Sequence, residues 1–257
     1  MGGVAAIRLA PQLSIGTRVE QLWPTISRGR SSELPSIEER FTDAEAPGLD
    51  IQTHFRRYQP FAQFSVPAGD VMALNQGTKM RLAYSVYDDR ARHRFTFRRL
   101  DAELQQRFAV LGPHRTLTLH AWTAVASAPA GQDIPFFLQP TLGGKAQVVG
   151  VREDLIGSDD TRATLRGYQN LRFRDRDVLL LQAEYRIPIW GPFDSTVFVD
   201  AGKVASRAAD LNLSDLRRSY GFSFSVMHGR MAAARVDVGF GSREGTRLLV
   251  SVGDFVP

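Results

Sequence analysis

The chain has 257 residues, of which 43% are hydrophobic and 23% are charged, and its formal net charge is +5 at neutral pH. It contains no run of about 18 apolar residues, which excludes transmembrane helices, and no cysteine, which excludes disulfides, thiolate zinc sites and cysteine nucleophiles. The lysines and arginines are dispersed rather than gathered into a basic tract, so nothing indicates binding to nucleic acid.

An alternation of apolar and polar residues with a period of two runs along most of the chain, and it predicts β-strands. The predicted strands, in chain order, cover residues 4–11, 51–66, 79–88, 100–110, 115–126, 177–187, the region of Asp200, 220–227, 231–240 and 246–253. Most have about 8–12 residues, whereas soluble strands average about 5–6 and a tilted membrane strand needs about 9–11. Length and alternation together favour a transmembrane β-barrel.

The connections between the predicted strands fall into two classes. Short ones lie near residues 112–113, 191–192, 228–229 and 241–245, and long polar ones span residues 24–50, 129–175 and 203–217. Outer-membrane barrels have short periplasmic turns and longer external loops. The alternation of the two classes is therefore typical of such a barrel.

The alternation also predicts which side chains face the lipid and which face the lumen. The residues expected to point outward are Ala232, Val236, Leu248, Val250, Leu179 and Leu181. The residues expected to point inward are Arg235, Asp237, Gln182 and Glu184. Helix is expected to be scarce and confined to the loops.

The longest predicted loop, at about residues 129–175, contains the sequence Leu165-Arg166-Gly167-Tyr168. This sequence resembles the [V/I/L]-R-G-[F/Y] motif in the sixth external loop of the BamA/TamA family of outer-membrane barrels, the bacterial surface antigen family. Its surroundings are similar too: Ile134–Phe137 and Thr141–Gly144 upstream, then Glu184–Arg186, Phe198–Lys203, Ser219–Phe222, Arg235–Val238 and a last strand ending in Phe255. The resemblance covers residues 35–257 and is strongest from residue 134.

The resemblance implies an all-β fold, an antiparallel meander forming one transmembrane barrel domain over residues 1–257. About ten strands are predicted where family barrels have about sixteen, so we expect an incomplete barrel, its C-terminal portion. Residues 1–13 lack the pattern of a signal peptide, and we expect a further segment and periplasmic POTRA-type domains upstream. The first and last strands are then not expected to close a complete barrel, so the expected form is an open, curved sheet or a strained small barrel.

The resemblance also implies a function. Family barrels insert, assemble or translocate polypeptides at the outer membrane without enzymatic chemistry, metal or cofactor. The implied partners are outer-membrane lipid and nascent outer-membrane or secreted polypeptides. In the family, the loop folds into the lumen and its arginine pairs with acids at the positions of Glu184 and Asp200 in this chain.

The residue types of the motif suit such a contact. Arg166 offers a planar fork of donors that matches carboxylates, Gly167 lets the loop backbone approach the wall, and Tyr168 is a rigid anchor with one polar end. The alternative is that Arg166 is a solvated loop residue. We expect Arg166 to lie within salt-bridge reach of Glu184, Asp200 or both.

Three alternatives, two to the function and one to the fold, remain open from the sequence. The first is a passive outer-membrane pore or barrel anchor that keeps only the structural motif. The second is an outer-membrane enzyme, which requires a catalytic set that the sequence does not offer, since the five histidines are scattered at no metal-ligand spacing. The third, at the level of the fold, is a soluble β-sandwich, against which the long strands with aliphatic faces argue.

Overall fold

The computed structural model describes residues 2–26, 35–50, 53–66, 77–112, 114–144, 163–228, 231–241 and 245–252. Within them lie thirteen strands: β1 Gly2–Ala10, β2 Leu13–Leu22, β3 Phe55–Val66, β4 Gly77–Asp89, β5 Phe97–Ala109, β6 Thr116–Ser127, β7 Thr141–Leu142, β8 Phe173–Arg174, β9 Asp177–Trp190, β10 Phe193–Ala205, β11 Arg217–His228, β12 Met231–Phe240 and β13 Arg247–Val252. Eleven of them form one sheet, and β7 pairs with β8.

The predicted antiparallel meander is confirmed. The strands of the main sheet pair in the order in which they occur in the chain. Strand β6 pairs with β9, because the short pair β7–β8 lies in the connection between them. Among the described residues, β1 pairs only with β2 and β13 only with β12, so the sheet is open, as expected.

Helix is confined to the connections, as predicted. The described helical segments are α1, Ile37–Arg40, and two single turns of 3₁₀-helix at Phe136–Leu138 and Ala208–Asp210. Within the described part of the chain, no helix is long and apolar enough to cross a membrane.

One strand was not predicted, and the predicted total of about ten was low by one for the main sheet. Strand β2, Leu13–Leu22, exposes Ile15 and Val19 on one face, but Thr17 and Gln21 stand on the same face. These polar residues interrupt the apolar alternation that revealed the other strands. The start of the strand predicted at 51–66 and the Phe255 terminus lie outside the described residues.

The sheet buries polar side chains and exposes apolar ones. Gln182, Arg235 and Asp237 are buried, whereas Leu248 and Val250 are 67% and 52% exposed. Val236, Leu179 and Leu181 are partly exposed, and the side chain of Ala232 lies outside the described ones. A water-soluble sandwich would place the apolar face inside its core, so this arrangement matches a transmembrane barrel wall.

The sheet curves toward its polar face. Arg235 on β12 reaches Glu184 on β9 at 3.2 Å, although β10 and β11 separate the two strands. In a flat sheet strands three positions apart lie about 14 Å from each other, which is beyond the combined reach of the two side chains. The polar face is therefore concave, and the apolar face is convex.

The two ends of the sheet differ. Turns of two residues join β1 to β2 and β9 to β10 at one end, which we call the short-turn end. The long connections, between β2 and β3, β6 and β9, and β10 and β11, meet at the opposite end, which we call the long-loop end.

An apolar cluster covers part of the concave face at the long-loop end. Its buried members are Phe55, Tyr87, Phe95, Phe97, Ala126, Ile134, Phe137 and Leu138. Tyr87 and Phe97 stack at 4.3 Å between ring centroids. The amide of Phe136 donates to the carbonyl of Pro47 at 2.9 Å, so the connections that follow β2 and β6 are joined here. Apolar burial thus fixes these connections over the sheet.

Asp43 gives the connection between β2 and β3 a pH dependence with a defined sign. Burial raises the pKa of Asp43, but hydrogen bonds from Arg94 and from the amides of Gly48 and Asp50 outweigh it, so the pKa lies below its ordinary value of 3.8. A lowered carboxyl pKa stabilises the folded segment above the ordinary value, and this contribution is lost as the pH falls through the lowered pKa.

We expect the amide of Gly48, which donates to Asp43 at 2.9 Å, to lose protection from hydrogen exchange as the pH falls below about 3.8. The measurement is exchange at Gly48 corrected for its intrinsic pH dependence. Asp43→Asn removes the titrating group, so this variant should show no such step. Protection that is unchanged in acid for the parent protein would contradict the assignment.

Candidate functional site

The segment that carries the motif packs against the residues around β7. The amide of Gly144 donates to the carbonyl of Leu165 at 3.1 Å, and the amide of Thr164 donates to the carbonyl of Gly144 at 2.9 Å. The amide of Gly143 also donates to Oγ1 of Thr164 at 2.7 Å. The two arms of the long connection are therefore held together where it returns to the sheet, while residues 145–162 lie outside the described part.

Leu165 anchors the motif in a second apolar cluster. Its side chain is fully buried and packs with Trp122, Ala124, Leu142, Val178 and Leu180 on the concave face. Burying a leucine side chain stabilises a fold by about 1.5–3 kcal/mol. This contact holds the residue before Arg166 in place and so sets the position of the guanidinium.

Arg166 is fully buried and contacts Asp200 on β10 through three nitrogen atoms. Its Nε and its backbone amide both donate to Oδ2 of Asp200, at 3.0 and 2.9 Å, and its Nη2 donates to Oδ1 at 2.5 Å. Charge-assisted bidentate pairs of this kind are among the strongest hydrogen bonds in proteins.

The same guanidinium also contacts acids on two other strands. Its Nη1 donates to Oε1 of Glu184 on β9 and lies 3.6 Å from Oδ1 of Asp237 on β12. Arg235 contributes a second cation, since its Nη2 lies 3.2 Å from Glu184 and 2.9 Å from Asp237. We call these five residues, two cations and three carboxylates, the arginine cluster.

Neighbouring side chains donate further hydrogen bonds to the carboxylates of the cluster. Ser219 and Gln182 donate to the two oxygens of Asp200, each at 3.0 Å, and Ser223 donates to Asp237 at 2.6 Å. The ring of Phe198 lies 3.5 Å from Cζ of Arg166, a cation–π contact that shields the charge from the other side. Few donors or acceptors of the cluster are therefore left unpaired, as a buried ionic network requires.

Gly167 and Gly239 allow the backbone of the motif to touch the wall. A Cβ atom on Gly167 would lie 2.2 Å from the carbonyl oxygen of Phe240, and one on Gly239 would lie 2.4 Å from that of Arg166. Both obstacles are backbone atoms that cannot rotate away. The two glycines make the close approach between the loop and β12 possible.

Tyr168 fixes the other side of the motif. Its hydroxyl donates to the carbonyl of Gly241 at 3.3 Å, and its ring meets that of Phe173 on β8 edge-on, with centroids 5.1 Å apart. The motif thus touches β9, β10 and β12 and the residue that follows β12.

The structure brings together all six residues that the sequence singled out, Leu165, Arg166, Gly167, Tyr168, Glu184 and Asp200. The sequence did not assign Arg235, Asp237 and Gln182 to the site, although it placed them on the inward face. The signal that could have found Arg235 and Asp237 is their spacing on β12, because an alternation with a period of two places both charges side by side on the concave face.

No family model matches the chain, and no curated protein matches it. Among solved structures, the fold is similar to a crystal structure of BamA from Haemophilus ducreyi lacking POTRA domains 1–3, with a TM-score of 0.61 and 11% sequence identity. The match covers 96% of this chain and 52% of that chain. The chain therefore has a BamA-like β-barrel fold and spans about half the length of the solved structure that it matches.

Proposed function

We propose that the chain belongs to an outer-membrane barrel that inserts, assembles or translocates other polypeptides. The observation that carries this proposal is the position of the arginine cluster. It ties the loop to β9, β10 and β12, and β12 is the partner of the edge strand β13. The proposed role of the loop is to hold the wall rigid beside that edge.

The edge itself is suited to strand exchange. Within the described residues β13 pairs with β12 from Arg247 to Val252, and no second strand pairs with it. A strand at the edge of a sheet can pair through its backbone with a strand of another chain.

The proposed mechanism is strand addition without covalent chemistry. A strand of the client polypeptide would pair with the backbone of β13, and its apolar side chains would join the convex face on which Leu248 and Val250 are exposed. The arginine cluster would keep β9–β12 in register during this exchange, because its contacts span four strands.

A single-cysteine experiment tests this proposal, and these 257 residues contain no cysteine of their own. Leu248→Cys is introduced into the full-length protein in its native membrane, together with a stalled outer-membrane barrel client that carries one cysteine in its terminal strand. We expect disulfide formation between client and β13, because Leu248 faces outward on the edge strand and is 67% exposed.

Leu104→Cys is the matched control. Leu104 is also a leucine on the convex face, 41% exposed, but β5 is already paired on both sides with β4 and β6. We expect no disulfide there. Equal crosslinking at both positions, or none at Leu248, would reject strand addition and favour the passive pore or anchor.

A further inference from the structure

Three strand arginines face the convex side of the sheet at the long-loop end. Arg98 and Arg218 are exposed and alternate with buried Arg99 and Ser219. Arg56 alternates with buried Arg57, and its Nη1 donates to the outward hydroxyl of Tyr58 at 3.1 Å. The arginines therefore share the face that carries the exposed apolar side chains.

The height of the apolar face places these arginines at the membrane surface. Arg98 and Phe108 both face outward on β5 and are ten residues apart, with Leu100 and Leu104 exposed between them. Ten residues extend about 33 Å along a strand, which is about 25 Å across the membrane at a tilt of about 40°. The apolar band of an outer-membrane barrel is also about 25 Å tall.

The outward cations are distributed unevenly between the two ends. At the short-turn end the described outward strand positions, among them Phe108 and Val226, carry no lysine, arginine or acidic residue. Two exposed arginines are described there: Arg8 lies on the concave face of β1, as the partner of Ser14, and Arg115 lies in a turn. At the long-loop end Asp88 is the outward acid beside Arg56, and Arg90 pairs with it at 3.2 Å. The long-loop end therefore keeps a net positive rim on its convex face.

We propose that this rim binds the phosphate groups of anionic lipids in the outer leaflet of the membrane. This inference rests on the proposed outer-membrane location. An arginine at headgroup level matches a phosphate with a fork of donors, and the side chains of Arg98 and Arg218 have no hydrogen-bond or ion-pair partner among the described residues. The asymmetry between the ends fits a bilayer whose outer leaflet carries more phosphate than its inner one.

The test is a titration of the purified full-length protein with lipid A, followed by native mass spectrometry. The same titration with dephosphorylated lipid A separates phosphate binding from acyl-chain binding. We expect each arginine removed to weaken lipid A binding about fivefold, so Arg98→Gln with Arg218→Gln should weaken it about 25-fold if the sites are independent. The dephosphorylated lipid should bind weakly to parent and variant alike.

Two controls complete the experiment. Arg115→Gln removes an exposed arginine at the short-turn end and should leave the affinity unchanged. Replacing Arg98 and Arg218 with lysine keeps the charge and should retain most of the binding. Equal affinity of the parent for both lipids, or equal losses in the Arg115 and Arg98/Arg218 variants, would overturn the inference, whereas the crosslink at Leu248 is independent of it.

Discussion

Arg166→Ala is expected to destabilise the folded barrel by about 3–5 kcal/mol, the usual cost of removing one partner from a buried ion pair. The substitution leaves Asp200 buried without its cation, and it leaves Glu184 and Asp237 to share Arg235. The measurement is the temperature at which the full-length protein loses its fast-migrating folded band on a cold gel. We expect that temperature to fall markedly.

Arg166→Lys is expected to restore only part of the loss, because an ammonium group cannot contact Asp200 through two side-chain nitrogens and reach Glu184 as well. The matched control is Arg207→Ala, which removes an exposed Arg–Asp pair with Asp210, 76% and 45% exposed, and should cost about 0–1 kcal/mol. If Arg166→Ala and Arg207→Ala melt alike, the cluster does not stabilise the barrel.

Gly239→Ala is expected to cost about 1–3 kcal/mol, the usual penalty for overpacking. The added methyl group would lie 2.4 Å from the carbonyl oxygen of Arg166, so either β12 or the loop must move. Because the loop carries Arg166, this movement should lengthen its contacts with Asp200. The expected result is a lower melting temperature on the cold gel.

Two further variants distinguish this contact from a general effect of glycine in a strand. Gly3→Ala on β1 adds the same methyl group where nothing lies within 4 Å, and it should leave the melting temperature nearly unchanged. In an Arg166→Ala background, Gly239→Ala should cost less than in the parent, because both changes disturb the same contact. Fully additive losses would contradict the coupling.

The strands of the main sheet were predictable because their apolar and polar residues alternate. The bounds predicted for β12, residues 231–240, agree with the structure, and the inward positions of Arg235 and Asp237 followed from its period. Strand β2 was missed because Thr17 and Gln21 interrupt its outward face. An alternation with a period of two therefore identifies a strand only where one face is consistently apolar and the other consistently polar.

The loops were less predictable for a physical reason. The apolar cluster at the long-loop end joins Phe55, Tyr87 and Phe97, which are strand residues, to Ile134 and Phe137 from a connection. No periodicity links residues so far apart, so this packing could not be derived from the pattern. The arrangement around Arg166 was anticipated from a resemblance of four residues and their context, and the role proposed for it remains a prediction.

The sequence separation of the contacts made by the motif determines when these contacts can form during folding. Arg166 contacts Asp200, which follows it by 34 residues, and Tyr168 contacts Gly241, which follows it by 73 residues. Such distant contacts cost loop-closure entropy before they stabilise anything, so they form late. A slip of β12 by one residue would turn Asp237 to the convex face. The loop can therefore bind only to strands that have already paired in the correct register. Its binding would be the last step in the folding of the C-terminal part of the wall.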